Sequence, residues 1–395
     1  MPSLTCQKDL FDIPNDITYL NCAYQGPLMK HIEKLGFEAI SKRKRPYQYS
    51  VEDFFKPVAS LQKAFARLIN CNDYERIAVI PSVSYGIANI VKNISLKDKK
   101  SIVLAGDQFP SNYYPWKRLA EEQNGHLKIV EAPKVNSDRA KLWNQLLLDA
   151  INEDTAVVTI GSIHWADGTL FDLKAIRDKC TKNGALMIID GTQSVGALPF
   201  DVEELKPDAL ICAGYKWLLG PYGTAIAYYG PAFDNGIPIE ENWINRLNSK
   251  DFQGLVNYQD QYKPKAARYS VGQNSNFFHV PLFSKAIEQI VEWGPENIQN
   301  YCKKLTSNVV NSLNELGCII EEEEYRVSHL FGIRLSEDFD FEVLKKQFAK
   351  SKVHVSMRGD SIRIAPNVYN TPEDMERLLK CIELAKTKKV RQFLS

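Results

Sequence analysis

The sequence predicts an α/β protein: a large domain on a mostly parallel seven-stranded sheet flanked by helices, followed by a smaller α+β C-terminal domain. Three observations predict it. Seven apolar runs of strand length recur between residues 76 and 229. Helical patterns separate them, which is the alternation of an open α/β sheet. After about Val280 short strands and helices mix in a different order, and 395 residues exceed what one ordinary core organises.

Taken in order, strands are expected at Arg76–Pro81 (RIAVIP), Ser101–Gly106 (SIVLAG), Lys128–Ala132 (KIVEA), Ala156–Ile163 (AVVTIGSI), Ala185–Asp190 (ALMIID), Ala209–Gly214 (ALICAG) and Gly223–Tyr229 (GTAIAYY). The unbroken apolar character of several marks strands covered on both faces, as in a parallel sheet. Helices are expected near Ser84–Asn93, Tyr113–Gln123, Arg139–Ala150 and Leu173–Asn183. Lys250–Asn276, polar and rich in Gln, Asn and Tyr, reads as a long connection. A long polar helix follows at Pro295–Leu316. Short strands are then expected at Cys318–Glu322, Leu330–Leu335, Val353–Ser356 and Ser361–Ala365, with helices at Phe341–Lys350 and Pro372–Thr387. The resulting division is an N-terminal segment over residues 1–50 packing with the small domain, a large domain over 51–280 and a small domain over 281–395.

Composition narrows the function. Lys+Arg 49 against Asp+Glu 48 leaves almost no net charge, which argues against nucleic acid or an anionic membrane as the main partner. No run of about 18 apolar residues suggests a membrane span. The opening residues MPSLTCQKDLFDIP contain no apolar stretch of a secretory signal. Eight scattered cysteines form no CxxC pair, so reduced thiols in a cytoplasmic protein are expected and a zinc ribbon is not.

Two strand ends carry chemistry. ALMIID ends in Asp190, which is either a turn-forming cap for the GTQ that follows or a carboxylate aimed into a crevice. The next strand runs into GYKW, placing Lys216 between aromatic rings and small residues. Its amine either snorkels outward or stays inside, where desolvation makes it a nucleophile toward carbonyls. An aldehyde cofactor on Lys216 with Asp190 opposite its ring nitrogen is the arrangement pyridoxal phosphate (PLP) requires. A phosphate would suit PSVSYGIANIV, where a strand passes into a helix start; Ser84 and the amide of Val83 are candidates, although a serine there is also an ordinary cap. No GxGxxG stands between an early strand and helix, which counts against a nicotinamide oxidoreductase.

An ordered set of segments then resembles the class V aminotransferase family of fold-type I PLP enzymes, which includes cysteine desulfurases, kynureninase and isopenicillin N epimerase. The set is YLNCAYQGPL, PSVSYGI, DQFPSNYYPW, ALMIIDGTQSVGALPFDV, AGYKWLLGPYG and SIRIAPNVYNTPEDMERL, and it covers nearly the whole chain. The resemblance implies that Lys216 holds the cofactor as a Schiff base and moves the Cα proton. It implies that Asp190 pairs with the pyridine nitrogen, Gln193 bonds the phenolic oxygen and Phe109 stacks on the ring, although Phe109 also reads as a core aromatic. Tyr215 stands where kynureninase-type members reach the phosphate and desulfurases carry histidine. Trp165 and His164, in SIHWADGT, occupy a strand end that faces the cofactor in relatives; a lone histidine there is also often structural. Arg363 matches the arginine for the substrate α-carboxylate, and Tyr24 is a further substrate candidate. Arg358 would serve a second carboxylate or nothing. Gln273 and Asn274, in YSVGQNSNF, would reach the phosphate of a partner in a homodimer with a shared active site.

The sequence departs from the desulfurases: no cysteine lies between Cys318 and Cys381, and SMRGD is too short for their cysteine loop. The expectation is therefore a PLP enzyme acting at Cα of an amino acid or amine bearing a carboxylate. Transamination comes first, with elimination, kynureninase-like hydrolysis or epimerisation as alternatives. A catalytically silent binding homologue is disfavoured by the joint presence of Lys216 and Asp190.

Overall fold

A computed structural model describes residues 3–387. Strand β1 (Thr18–Tyr19) and helices α1 (Lys30–Arg43) and α2 (Lys56–Leu68) precede the main sheet. That sheet holds β2 (Ile77–Ile80), β3 (Ser101–Ala105), β4 (His126–Val130), β5 (Thr155–Gly161), β6 (Leu186–Asp190), β7 (Ala209–Ala213) and β8 (Ala225–Tyr229). The spatial order is β2-β8-β7-β6-β5-β3-β4. Four pairings are parallel, and only β8 runs antiparallel to both of its neighbours. The intervening helices are α3 (Val83–Val91), α4 (Tyr114–Gln123), α5 (Arg139–Ala150), α6 (Leu173–Asn183) and the single turn α7 (Val202–Leu205).

The apolar runs explain this layering. Alternate strand residues point to opposite faces. Val79, Val103, Val158, Ile189 and Leu210 enter one core cluster, while Ala78, Ile102, Val157, Ile188 and Ile211 enter another. A strand buried on both sides has no polar positions, which is why these runs read as unbroken.

The C-terminal part contains α8 (His279–Trp293), α9 (Pro295–Glu315), β9 (Phe331–Arg334), α10 (Phe341–Lys350), β10 (Val353–His354), β11 (Ser356–Arg358), β12 (Ser361–Ile364) and α11 (Pro372–Ala385). An antiparallel sheet in the order β11-β12-β9 packs with α9, α10 and α11 around its own core. The N-terminal segment ties this part to the main sheet. β1 pairs in parallel with β10, and Asn21 bridges Ala365. A few residues on, the Gly26 amide donates to the Tyr215 carbonyl at 2.8 Å.

Several expectations need correction. Cys318–Glu322 forms no strand; only Ile319 makes a bridge, to Arg334, because Glu321 turns inward to an ion cluster. The run Val353–Ser356 splits at Val355 between two sheets. Helices α1, α2, α7 and α8 were not anticipated, and the expected boundary at 280/281 falls inside α8. Proline at the second position of α2 and the third of α8 reads as a break, yet the first turn of a helix needs no N–H there. Around those prolines the apolar spacing is helical: Val58, Leu61, Phe65 and Leu68 after Pro57, and Val280, Phe283, Ile287 and Ile290 on either side of Pro281.

A buried ion cluster links the two parts. Glu321 accepts from Arg139 at 2.9 Å and lies 3.3 Å from Arg334, while Arg139 also donates to Asp167 at 2.8 Å. Removing one partner leaves uncompensated charge out of water. Glu321→Ala is expected to lower unfolding free energy by about 3–5 kcal/mol, read as a drop in the urea midpoint, with Glu321→Gln milder.

Candidate active site

The site begins with strand register. β6 and β7 run parallel with Asp190 opposite Ile211, so both strands end on the same edge of the sheet. Beyond β7 the chain forms a closed loop. The Gly214 amide donates to Thr224 at 3.0 Å, and the Gly220 amide returns to Gly214 at 2.8 Å. Lys216 lies in this loop and is 7% exposed. Gly26 packs against its backbone: a Cβ there would stand 2.3 Å from the Lys216 carbonyl oxygen, so only glycine allows the approach.

Two chambers meet at Lys216. The first, about 270 Å³, is bordered by Asp190, Thr192, Gln193, Tyr215, Phe109 and Trp165, and by Ser82, Val83 and Ser84 at the start of α3. The second, about 210 Å³, shares Phe109, Trp165, Tyr215 and Tyr222 with it and adds Tyr24, Arg358 and Arg363. A groove of about 910 Å³ beside α6 and α7 contains none of these residues, so chemistry rather than volume locates the site.

Burial dominates the electrostatics. The Lys216 amine is lowered to about 8 by burial; Arg363 and Arg358 add to the shift and Asp190 opposes it. Its Nζ stands 5.5 Å from the Phe109 ring centre and 5.7 Å from that of Tyr215. Burial pushes the Asp190 carboxyl above the usual carboxylate range, against the Thr192 hydrogen bonds and the Lys216 charge. The Thr192 amide donates to Asp190 Oδ1 at 3.0 Å. Asp190 is thus both a turn cap and a carboxylate on the cavity wall.

Arg363, on β12, is 1% exposed, and burial lowers its guanidinium to about 10, with Arg358 adding to the shift. One nitrogen donates to the Trp165 carbonyl at 2.8 Å, and Nε is buried with no acceptor. No carboxylate among the described residues forms an ion pair with it. A buried guanidinium left this way is under-satisfied and favours an incoming anion.

The remaining candidates divide. Gln193 borders the cavity, but its amide is already engaged: Nε2 donates to the Ala23 carbonyl at 3.1 Å and Oε1 accepts from Trp217 at 2.9 Å. One Nε2 hydrogen is left for a ligand. Trp165 meets Phe109 edge-on at 5.3 Å and donates to the Asp107 carbonyl at 2.7 Å. Ser84 is exposed in the first turn of α3; the cap is Ser82, whose hydroxyl accepts from the Tyr85 amide at 3.2 Å and lies 2.9 Å from the Ser84 hydroxyl. His164 does not reach either chamber. Its ring packs between Trp143 and Phe171 and meets Asp167 at 3.1 Å, because the chain turns after β5 and sends Trp165 forward instead. Gln273 is exposed, Asn274 is buried, and neither borders a chamber of its own protomer.

Sequence reasoning missed Ser82, Tyr222 and Thr224 on the cavity wall. Ser82 carried a signal, since it directly precedes the helical pattern. Tyr222 carried none: the loop must close before its ring lies 4.6 Å from that of Tyr215.

A mostly parallel sheet, a buried lysine of lowered basicity and a carboxylate at the adjacent strand end define an α/β enzyme built around a reactive amine. The chain matches the family Aminotransferase class-V over residues 31–378 and belongs to it. The family's enzymes depend on PLP. An "Uncharacterized aminotransferase" of Bacillus subtilis is 26% identical over 317 residues, covering 80% of each chain. A protein of Methanothermobacter thermautotrophicus named as a probable cysteine desulfurase is 31% identical over 340 residues, covering 80% of this chain and 81% of that one. In fold, the chain is similar to a cysteine desulfurase of Thermococcus onnurineus, with a TM-score of 0.79 at 18% identity over 98% of this chain and 99% of that one. The residues present fit PLP: an amine of lowered basicity, a carboxylate beside it, an aromatic wall and the amides opening α3 border one cavity.

The amine sets a pH signature. In cofactor-free protein Lys216 titrates near 8, whereas an unfolded lysine titrates near 10.5. The unfolded chain therefore holds this proton more tightly between those values, so the contribution of Lys216 to stability rises with pH across that window, by about 3 kcal/mol in all, while the buried thiols and tyrosines contribute with the opposite sign. The unfolding free energy of wild type minus that of Lys216→Met should therefore climb between pH 7 and 11, whereas the contribution of Lys263, also lowered to about 8 by burial, is common to both and cancels. Asp190→Asn should move the Lys216 titration lower still, because it removes the one nearby carboxylate that raises it.

Proposed function

We propose that this chain is an aminotransferase acting on an α-amino acid. The observation that carries the reading is Arg363, buried without an anionic partner in the chamber it shares with Lys216. A planar fork with a free donor suits a carboxylate held bidentately. A carboxylate gripped there places Cα of the same molecule toward the Lys216 amine.

Bound PLP supplies an aldehyde for the substrate amine and a protonated ring that takes up the electron pair left at Cα. In this reading Asp190 keeps the ring nitrogen protonated, and the apolar wall around Asp190 strengthens that pairing. Phe109 covers the cavity and excludes water. Ser82, Ser84 and the first amides of α3 hold the phosphate. Lys216 holds the cofactor covalently and then, once displaced, takes and returns the proton at Cα. A basicity near neutral suits a group that must do both.

Transamination is favoured over its alternatives by what borders the chambers. Their titratable residues are Lys216, Asp190, two arginines and three tyrosines, with no thiol and no histidine. Persulfide chemistry needs a reachable cysteine; the nearest by contact, Cys22, is buried and its thiol is pushed up to about 12 by burial. Elimination is helped by an acid for the leaving group, whereas transamination needs none. We read the segment Tyr269–Phe277 as completing the phosphate end of a second copy's site, since Gln273 and Asn274 border no chamber of their own. Sedimentation should then give a dimer that loses cofactor on dilution.

The deciding measurement is a panel of amino donors with keto-acid, ammonia and elimination products followed in parallel. Keto acid formed without ammonia, with the amino group passed to an acceptor, is the expected result; ammonia with an unsaturated or shortened product would overturn transamination. Borohydride should fix the cofactor on the peptide holding Lys216, and Lys216→Ala should lose turnover. Arg363→Lys should raise KM for carboxylate substrates by roughly 10- to 100-fold, about 1.5–3 kcal/mol of a charge-assisted hydrogen bond. An amine lacking the carboxylate should be nearly indifferent to that change.

A further inference from the structure

We propose that the site selects an α-amino acid with two carboxylates, Arg363 taking the first and Arg358 the second. The proposal rests on the aminotransferase reading and names its substrate class.

The sheet places the two cations together. β11 and β12 pair antiparallel, with Ser356 opposite Arg363 and Arg358 opposite Ser361. Opposed residues share a face, and so do residues two apart on one strand. Arg358 and Arg363 therefore lie on the same face as diagonal neighbours. Both border the chamber of about 210 Å³ that also holds Lys216.

Arg358 is half-buried and has little else to do. One of its nitrogens donates to the adjacent Met357 carbonyl at 2.7 Å, and the guanidinium lies 5.7 Å from the Trp165 ring centre. It forms no ion pair among the described residues; Asp360, two positions on, is exposed. The chamber thus gathers two guanidinium groups and an amine, while the site's carboxylate, Asp190, borders the other chamber. Arg358 lowers the basicity of both Arg363 and Lys216, so its charge is felt where a substrate would sit. One substrate carboxylate satisfies one fork and leaves the other cation repelling its neighbours. A dianion neutralises both. A chamber this small also keeps the far end of a short side chain within reach of its wall.

The competing explanation is that Arg358 only steadies Trp165, whose carbonyl Arg363 uses. The test separates the two with unreactive anions that need no turnover. Glutarate, succinate and butyrate would be titrated into the holoenzyme by calorimetry and by the cofactor absorbance. Glutarate or succinate is expected to bind at least about 10-fold tighter than butyrate, in line with one added charge-assisted contact. Arg358→Gln should erase that advantage and leave butyrate within about 2-fold of wild type, with Arg358→Lys between the two. Arg363→Gln should weaken all three anions. Equal affinity for glutarate and butyrate in the wild type overturns the proposal. So does an equal loss for every anion in Arg358→Gln, which is the result expected of a support for Trp165. Transamination of monocarboxylic donors with no dicarboxylate preference would defeat this proposal and spare the aminotransferase reading. Dicarboxylate selectivity without transamination would do the reverse.

Discussion

The parallel pairing of β6 with β7 is the constraint on which the site depends. Because the strands run the same way with Asp190 opposite Ile211, a carboxylate and the lysine loop leave the sheet on one edge. Had β7 run the other way, as β8 does, Lys216 would lie at the far edge. The cofactor's requirements, an amine at one point and a carboxylate at another, are therefore met by backbone hydrogen bonds far from the chemistry. In open α/β sheets this edge, beyond the carboxyl ends of the strands, is where ligands bind.

The second requirement is a cation kept out of water without a partner. Lys216 and Arg363 are both buried, and both are made less basic by it. Such groups oppose folding. They are held in place by structure that stabilises elsewhere: two apolar layers around the main sheet, and the segment Thr18–Gly26. Within nine residues this segment joins β10, bridges Ala365 beside the Arg363 strand, and reaches the carbonyl before Lys216. It stitches the two cations to one another through the backbone. The Ala23 carbonyl in the same segment fixes the Gln193 amide. Arg139, Asp167 and Glu321 anchor the other flank with paired charges, so the unpaired ones can face the chamber.

Much of this was legible because burial leaves a mark on sequence. Strands covered on both faces show no polar alternation, and six of the seven were visible for that reason; the edge strand β4 is largely exposed and was expected two residues too late. Helices whose first turn contains proline were not, since Pro57 and Pro281 hide patterns that are otherwise helical. Inward-turning charges misled in the other direction. Glu321 belongs to an ion cluster and ends what reads as a strand at Cys318–Glu322. His164 and Trp165 are adjacent, and nothing local says which one turns toward the ligand.

By itself the sequence determined the sheet, the family motifs and the two residues at adjacent strand ends, Asp190 and Lys216, because these depend on local burial and on chain order. The tertiary structure decided what the chambers contain. Arg363 lies 147 positions after Lys216 by number, and only the return of the small domain brings it to the same wall. Tyr222 reaches Tyr215 only when the loop from Gly214 to Thr224 closes. Arg358 joins Arg363 on one face only through the register of β11 on β12. Each is a long-range or register-dependent contact. Side-chain pattern specifies such contacts only after the backbone has chosen its partners, since a shift of one residue sends every side chain to the opposite face.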